Sequence, residues 1–163
     1  MHFFKPWESI DIQTCKSIYD TTLQVFNFVN EQETNHKLSN FCPHFILSAI
    51  KMGHAVMLRL LKGPFASNLD EKPGSSMFLA MINFLKSASL GDGDKAHRIV
   101  TIVEHMWNVD DMFKDSNGNW DVALRIKHRL SAGLVHEIAM RWREKTLMDR
   151  PGGIRQDTGM FYF

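Results

Sequence analysis

The stretch from Val56 to Ser89, VMLRLLKGPFASNLDEKPGSSMFLAMINFLKSAS, constrains this chain more than any other. It reads as the end of one apolar helix, a turn at Gly63-Pro64, a short loop and a second helix that is apolar almost all round. In that second helix Met77, Phe78, Leu79, Met81, Ile82, Phe84 and Leu85 are broken only by Asn83 and Lys86 near its end. A helix without a polar face belongs at the centre of a bundle. No segment alternates convincingly with the two-residue period of a strand. The expected fold is therefore all-α, a single bundle of about five main helices with no sheet.

The flanking chain supplies the other helices. Ser9 or Asp11 can cap a first helix, in which Ile12, Cys15, Ile18, Tyr19, Thr22, Phe26 and Val29 recur at three- and four-residue steps up to about Gln32. Residues 33–40, ETNHKLSN, are polar and read as a loop. Pro43 suits the first turn of a second helix, expected to run to Lys62 and to end at Gly63-Pro64. On it Ser48, Lys51, Arg59 and Lys62 fall near one polar face. Pro73-Gly74 reads as a further break, so the third helix is expected from Ser75 or Ser76 to about Leu90. Asp94 caps a fourth helix with Ala96, Ile99, Val103, Met106 and Trp107 on its buried stripe. The segment 114–119, KDSNGN, reads as a loop with Asn117-Gly118 at its tip and without strand-like flanks. A fifth helix is expected from about Asp121 to Thr146, where Ile126, Leu130, Leu134, Ile138 and Trp142 repeat every four residues. The chain thus divides into an aromatic arm at 1–10, a helical domain at 11–147 and a Gly-rich tail at 148–163. The arm carries Phe3, Phe4, Pro6 and Trp7, aromatic surface that packs either on the bundle or on another chain.

Composition narrows the function classes. With 163 residues, 44% hydrophobic and 23% charged, the chain is one ordinary globular domain. A net charge of +1 provides no global field for nucleic acid or an anionic membrane. Cys15 and Cys42 form neither a disulfide framework nor a zinc spacing, which favours a reducing compartment. The N-terminus lacks the apolar run of a signal peptide, and the longest apolar helix carries Lys51, His54 and Arg59, which argues against a membrane span.

Candidate chemistry is sparse. Of the eight histidines, His97 and His105 share a helix face, as do His128 and His136, but each pair is eight residues apart, two turns and too far for one ion. His136-Glu137 opens HEIAM, without the second histidine of a zinc-protease motif, so no metal site is expected. Asp110, Asp111 and Glu104 read as solvated carboxylates. Cys15 lies on an apolar stripe and reads as buried, while Cys42 stands at a helix N-terminus, a place that lowers a thiol pKa. Between Asp121 and Arg150 seven Lys or Arg stand against four Asp or Glu, a net of +3 that reads as a solvated basic face. Among the apolar residues, Met77, Phe78, Met81, Phe84, Met106 and Trp107 are the candidates to line a ligand pocket, with core filling as the plainer role. No catalytic residue and no cofactor are assigned.

Four stretches carry a resemblance: ILSAIKMGHAVMLRLLKGPFASNLD, MFLAMINFLKSAS, RIVTIVEHMWN and LRIKHRLSAGLVHEIAMRWRE, together spanning Pro43 to Glu144. In order and spacing they resemble the C-terminal part of the fungal-specific transcription factors, the regulators with a zinc binuclear cluster. The most specific pieces are Leu58 to Lys62 with the following Phe-Ala, Ala80 to Lys86, Trp107, Leu124 to Arg129, and Trp142-Arg143-Glu144. The resemblance implies an all-helical regulatory region of the middle-homology type in a nuclear activator or repressor, one that restrains or relays activation and in some members responds to a small molecule. The family's DNA-binding module needs six clustered cysteines, and this chain has two, far apart. Its metal, its DNA-contacting residues and its dimerising coiled coil therefore transfer to no position here.

The expected function is accordingly a non-enzymatic, nuclear regulatory domain that works through a transcription-regulatory protein partner or a small-molecule contact and binds no specific DNA by itself. The chain is then either part of a longer regulator or a stand-alone protein that kept the regulatory fold without the reader. The alternative is a small helical protein that binds or transforms an apolar metabolite in a Met- and Phe-lined cavity.

Overall fold

Residues 12–115, 117–121 and 130–148 are those described by the computed structural model. They form an all-α bundle of five helices: α1 (Ile12–His36), α2 (His44–Leu61), α3 (Glu71–Ala88), α4 (Lys95–Asn108) and α5 (Leu130–Met148). No strand occurs among the described residues. The expected aromatic arm, the tail and residues 122–129 of the fifth helix lie outside the described residues.

α3 sits at the centre, as its composition requires. It packs against α1, α2 and α4, while α2 and α4 also meet α5. Phe78, Met81 and Leu85 are wholly buried, and Ile82 and Phe84 nearly so. α1 contributes Cys15, Tyr19, Phe26 and Val29 to the same core, the members of its apolar stripe that face inward. Gly53 of α2 allows the closest of these approaches: a Cβ there would lie 2.4 Å from Phe26 Cε1. Each large apolar side chain taken out of water contributes roughly 1.5–3 kcal/mol, so this shared core dominates stability.

Three boundaries differ from the expectation. α1 does not stop at Gln32 but continues to His36. Glu, Gln, Asn and Thr on an exposed face mark solvent, not coil, and no Gly or Pro interrupts them. The helix ends where Lys37 takes a left-handed conformation (φ 52°). The Glu33 carboxylate then accepts from Ser39 N–H at 2.8 Å and from Ser39 Oγ at 2.9 Å, which locks the short 3-10 turn Leu38–Phe41 to the helix.

α3 begins at Glu71, ahead of the expected Ser75. Asp70 caps it by accepting from Lys72 N–H at 3.3 Å. Pro73 costs little in the first turn, where backbone N–H groups have no intrahelical acceptor. Gly74 is buried there because Tyr19 of α1 crosses over it: an added Cβ would lie 2.7 Å from the Tyr19 hydroxyl. That hydroxyl donates to the Asp70 carbonyl, so the supposed break is a close helix contact.

The 114–119 loop closes more tightly than expected. A single antiparallel bridge joins Lys114 and Trp120, with Gly118 at φ 80°. Asp115 holds the turn, its carboxylate accepting from the N–H groups of Asn117 and Asn119 at 2.8 and 2.9 Å. At the start of α4 and the end of α2 the sequence signals act as expected. Asp94 accepts from His97 N–H at 2.7 Å to cap α4, and Gly63-Pro64 follows the end of α2 at Leu61. By length and composition α2 would suffice to cross a bilayer, yet half of it is buried in the bundle.

Candidate functional site

Two polar features and one apolar cleft interrupt the core, and the sequence reading assigned none of them to a site. The first is a buried charge cluster between α2 and α5. Glu137 is 0% exposed, Arg59 3% and Arg141 4%. The Arg141 guanidinium donates to Glu137 Oε1 at 2.7 Å, to the Met112 carbonyl at 3.1 Å, and to the Asp121 carbonyl and Oδ2 at 2.8 and 3.1 Å. Arg59 Nη1 lies 4.0 Å from Glu137 Oε1. Both guanidinium groups approach the Phe113 ring, with Arg59 Cζ 5.4 Å and Arg141 Cζ 5.1 Å from its centroid. Burial is the largest influence on Arg59 and lowers its pKa, Glu137 opposes this, Arg141 adds to it and Asp121 opposes again.

The cluster corrects two expectations. Arg59, expected near the polar face of α2, is buried, and Arg141 does not belong to a solvated basic face of α5. Buried charges survive when paired and hydrogen-bonded, and here the Glu137 carboxylate lies between two cations. The available sequence signal was the four-residue spacing of Glu137 and Arg141, which places them on one helix face next to the buried Ile138. Chemically the cluster is a clamp. Arg141 fastens the loop carrying Met112, Phe113 and Asp121 to the bundle, and Arg59 ties the same point to α2.

The second feature is His54 of α2, 1% exposed. Its ring lies 5.3 Å from that of Phe26 and 4.7 Å from that of Phe78. Nδ1 is 2.9 Å from the Ile50 carbonyl and Nε2 is 3.3 Å from the Phe78 carbonyl. A neutral imidazole carries one N–H, so it can donate to only one of these two acceptors. Burial lowers its pKa to about 4, against a smaller opposing pull from the two carbonyls.

The pocket candidates belong to the common core of the bundle or pack against it. Phe78 stacks on Trp107 at 4.3 Å, and Lys62 Nζ lies 5.3 Å from the centre of the Trp107 ring. Phe78, Met81, Phe84 and Met106 are buried, while Met77 and Trp107 are half-buried against them. An apolar cleft of about 30 Å³ lies instead between α2, α4 and α5. Ala55, Leu58, Ile99, Ile102, Val135 and Ala139 line it, with Lys51 and His54 as its polar members, and none of the six pocket candidates is among its lining residues. This cleft is the third feature.

The remaining candidates are scattered. His97 lies 3.7 Å from Asp92 on the surface, and His128 is outside the described residues. No group of three His, Cys, Asp or Glu side chains is placed to hold a metal ion among the described residues. Glu104 pairs with Lys86 at 2.6 Å on the surface, and Asp110 and Asp111 are exposed. Cys15 is buried as expected. The Cys42 thiol is not activated by its helix N-terminus: burial raises its pKa, and the Glu33 carboxylate raises it further. Compared with known protein families, with curated proteins and with solved structures, the chain shows no match.

Proposed function

We propose that this chain is a non-enzymatic regulatory domain similar to the C-terminal part of the middle-homology region of fungal zinc-cluster transcription factors, without the DNA-binding module, and that it acts in the nucleus through a transcription-regulatory protein partner. One observation carries the reading. The separate stretches that resemble the family meet in a single packed unit. Arg59, from the Leu58 to Lys62 piece, reaches Glu137 in the piece that ends at Trp142-Arg143-Glu144. Trp107 of the third stretch stacks on Phe78 of the second. Residues that would be unrelated matches if taken one by one are thus joined by the charge clamp and the aromatic stack.

The test is a reporter assay in a fungal host. The chain is fused to a heterologous zinc-cluster DNA-binding module, and output is compared with that of the module alone. The expected result is a changed output from a fusion that is as abundant as the module alone. Equal output from the fusion and the bare module, with the fusion folded and nuclear, would refute the proposal.

A further inference from the structure

α2 is apolar enough, by length and composition, to cross a bilayer, and the described bundle covers only half of it. The uncovered half faces away from α3. At the helical period Phe45, Met52 and Val56 stand opposite His54, the α2 side chain whose ring meets Phe78 of α3. Phe45 is 70% exposed, and Met52 and Val56 are half-buried. α1 repeats the arrangement. Ile18, Val25 and Phe28 are exposed on a stripe turned away from Tyr19, the α1 side chain that crosses Gly74 of α3. α3 packs against both helices, so the two stripes lie together on the outer side of the α1–α2 pair.

The two helices run antiparallel. Phe26 meets Gly53, and Tyr19 and Leu61 both reach Gly74. Val25 is therefore level with Val56, and Phe28 with Met52. The positions between them on this side, Thr21 and Gln32 on α1 and Ala49 on α2, carry no charge either. In a chain with 23% charged residues, an outer face of two helices that is apolar and uncharged along its length marks an interaction surface.

We propose that this outer face of α1 and α2 is the docking surface for the chain's own aromatic arm, residues 1–10, with Trp7 and Phe4 laid along it. The arm joins α1 at Ile12, at the end of the bundle where α2 finishes. Extended backbone covers at most about 3.4 Å per residue, so Trp7 can reach about 17 Å from Ile12 and Phe4 about 27 Å. A helix rises about 1.5 Å per residue, which puts Ile18, Val25 and Phe28 about 9, 20 and 24 Å along α1. Both rings can therefore lie on the stripe. Pro6 favours this path, because it fixes its own φ and disfavours helical backbone at Lys5. The surfaces match in chemistry, since aromatic rings gain most from an uncharged apolar wall. The tether selects the arm over a second copy: a short linker gives the arm an effective concentration of about millimolar, far above that of another chain in dilute solution.

The proposal stands apart from the regulatory reading, since the contact is observed within the isolated full chain. The test is NMR. The Trp7 indole protons should show cross-relaxation to the methyl groups of Val25, Met52 and Val56, unchanged on dilution. Phe4→Ser combined with Trp7→Ser alters only the arm, and should shift those three methyl resonances while the core methyls of Met81 and Met106 stay in place. Met52→Glu, at a half-buried outer position, should remove the Trp7 contacts with the same core methyls unmoved. Outer methyls that do not respond to the double substitution would overturn the proposal. So would Trp7 contacts that survive Met52→Glu, which would place the ring elsewhere, or contacts seen only between differently labelled chains in a mixed sample, which would mean that a second copy covers this face.

Discussion

His54 provides the sharpest quantitative test of the core. Its imidazole is enclosed by Phe26 and Phe78, and burial lowers its pKa from 6.5 to about 4. Above pH 6.5 the ring is neutral in the folded and unfolded chain alike, and stability does not depend on it. As the pH falls from 6.5 toward 4, the unfolded chain takes up a proton at this residue and the folded chain does not. Stability is therefore lost across that window and levels off once the folded state also protonates. The gap between 6.5 and about 4 is worth about 3 kcal/mol, a large part of a typical ~5–15 kcal/mol. Carboxylates titrate in part of the same window, so the contribution of His54 has to be isolated by substitution. His54→Gln keeps a donor and an acceptor but carries no titrating charge. Urea unfolding of both proteins at about pH 7 and about pH 4 should show the variant's disadvantage shrinking by about 3 kcal/mol at the lower pH. A disadvantage that stays constant between the two pH values would refute the reasoning. So would a native His54 ring resonance that titrates near 6.5, because either result would mean that the ring is solvated.

Glu137→Gln leaves Arg59 and Arg141 facing each other without the carboxylate between them, and should cost about 3–5 kcal/mol by denaturant unfolding. Replacing Arg59, Glu137 and Arg141 together by Met or Leu should cost less than that single change, since no buried charge of the trio is then left unpaired. Gly53→Ala drives a Cβ into the Phe26 ring and should lower stability by about 1–3 kcal/mol in calorimetry, with part of the loss recovered by adding Phe26→Leu. Phe78→Ala removes a wholly buried ring that touches His54 and Trp107, and should cost about 3–5 kcal/mol, read as a sharply lowered melting temperature.

Most of the helical layout was legible in the sequence because helices report themselves locally. The 3.6-residue period, the Asp94 cap and the Gly63-Pro64 stop depend on neighbours a few residues away, and the nearly all-apolar α3 can be satisfied only at a bundle centre. Local signals misled where tertiary contact gave a residue a second role. Gly74 looked like a breaker and instead makes room for Tyr19, and the polar 33–36 segment looked like coil although it is the exposed end of α1. The site features were not legible. An Arg in a helix pattern is assigned to solvent by default, because burying one charge alone is prohibitive. The Glu137–Arg141 pair falls within one local window, but Arg59 meets Glu137, and Met112 and Asp121 meet Arg141, from distant parts of the chain, a juxtaposition that no local window contains. His54 faces the same limit, since its period marks only an inward face, and the fold alone supplies the two aromatic walls and two carbonyls that keep it neutral. Periodicity determined which faces turn inward, and packing decided which polar groups those faces carry with them, because the energy that permits a buried charge resides in pairs of residues brought together only by the fold.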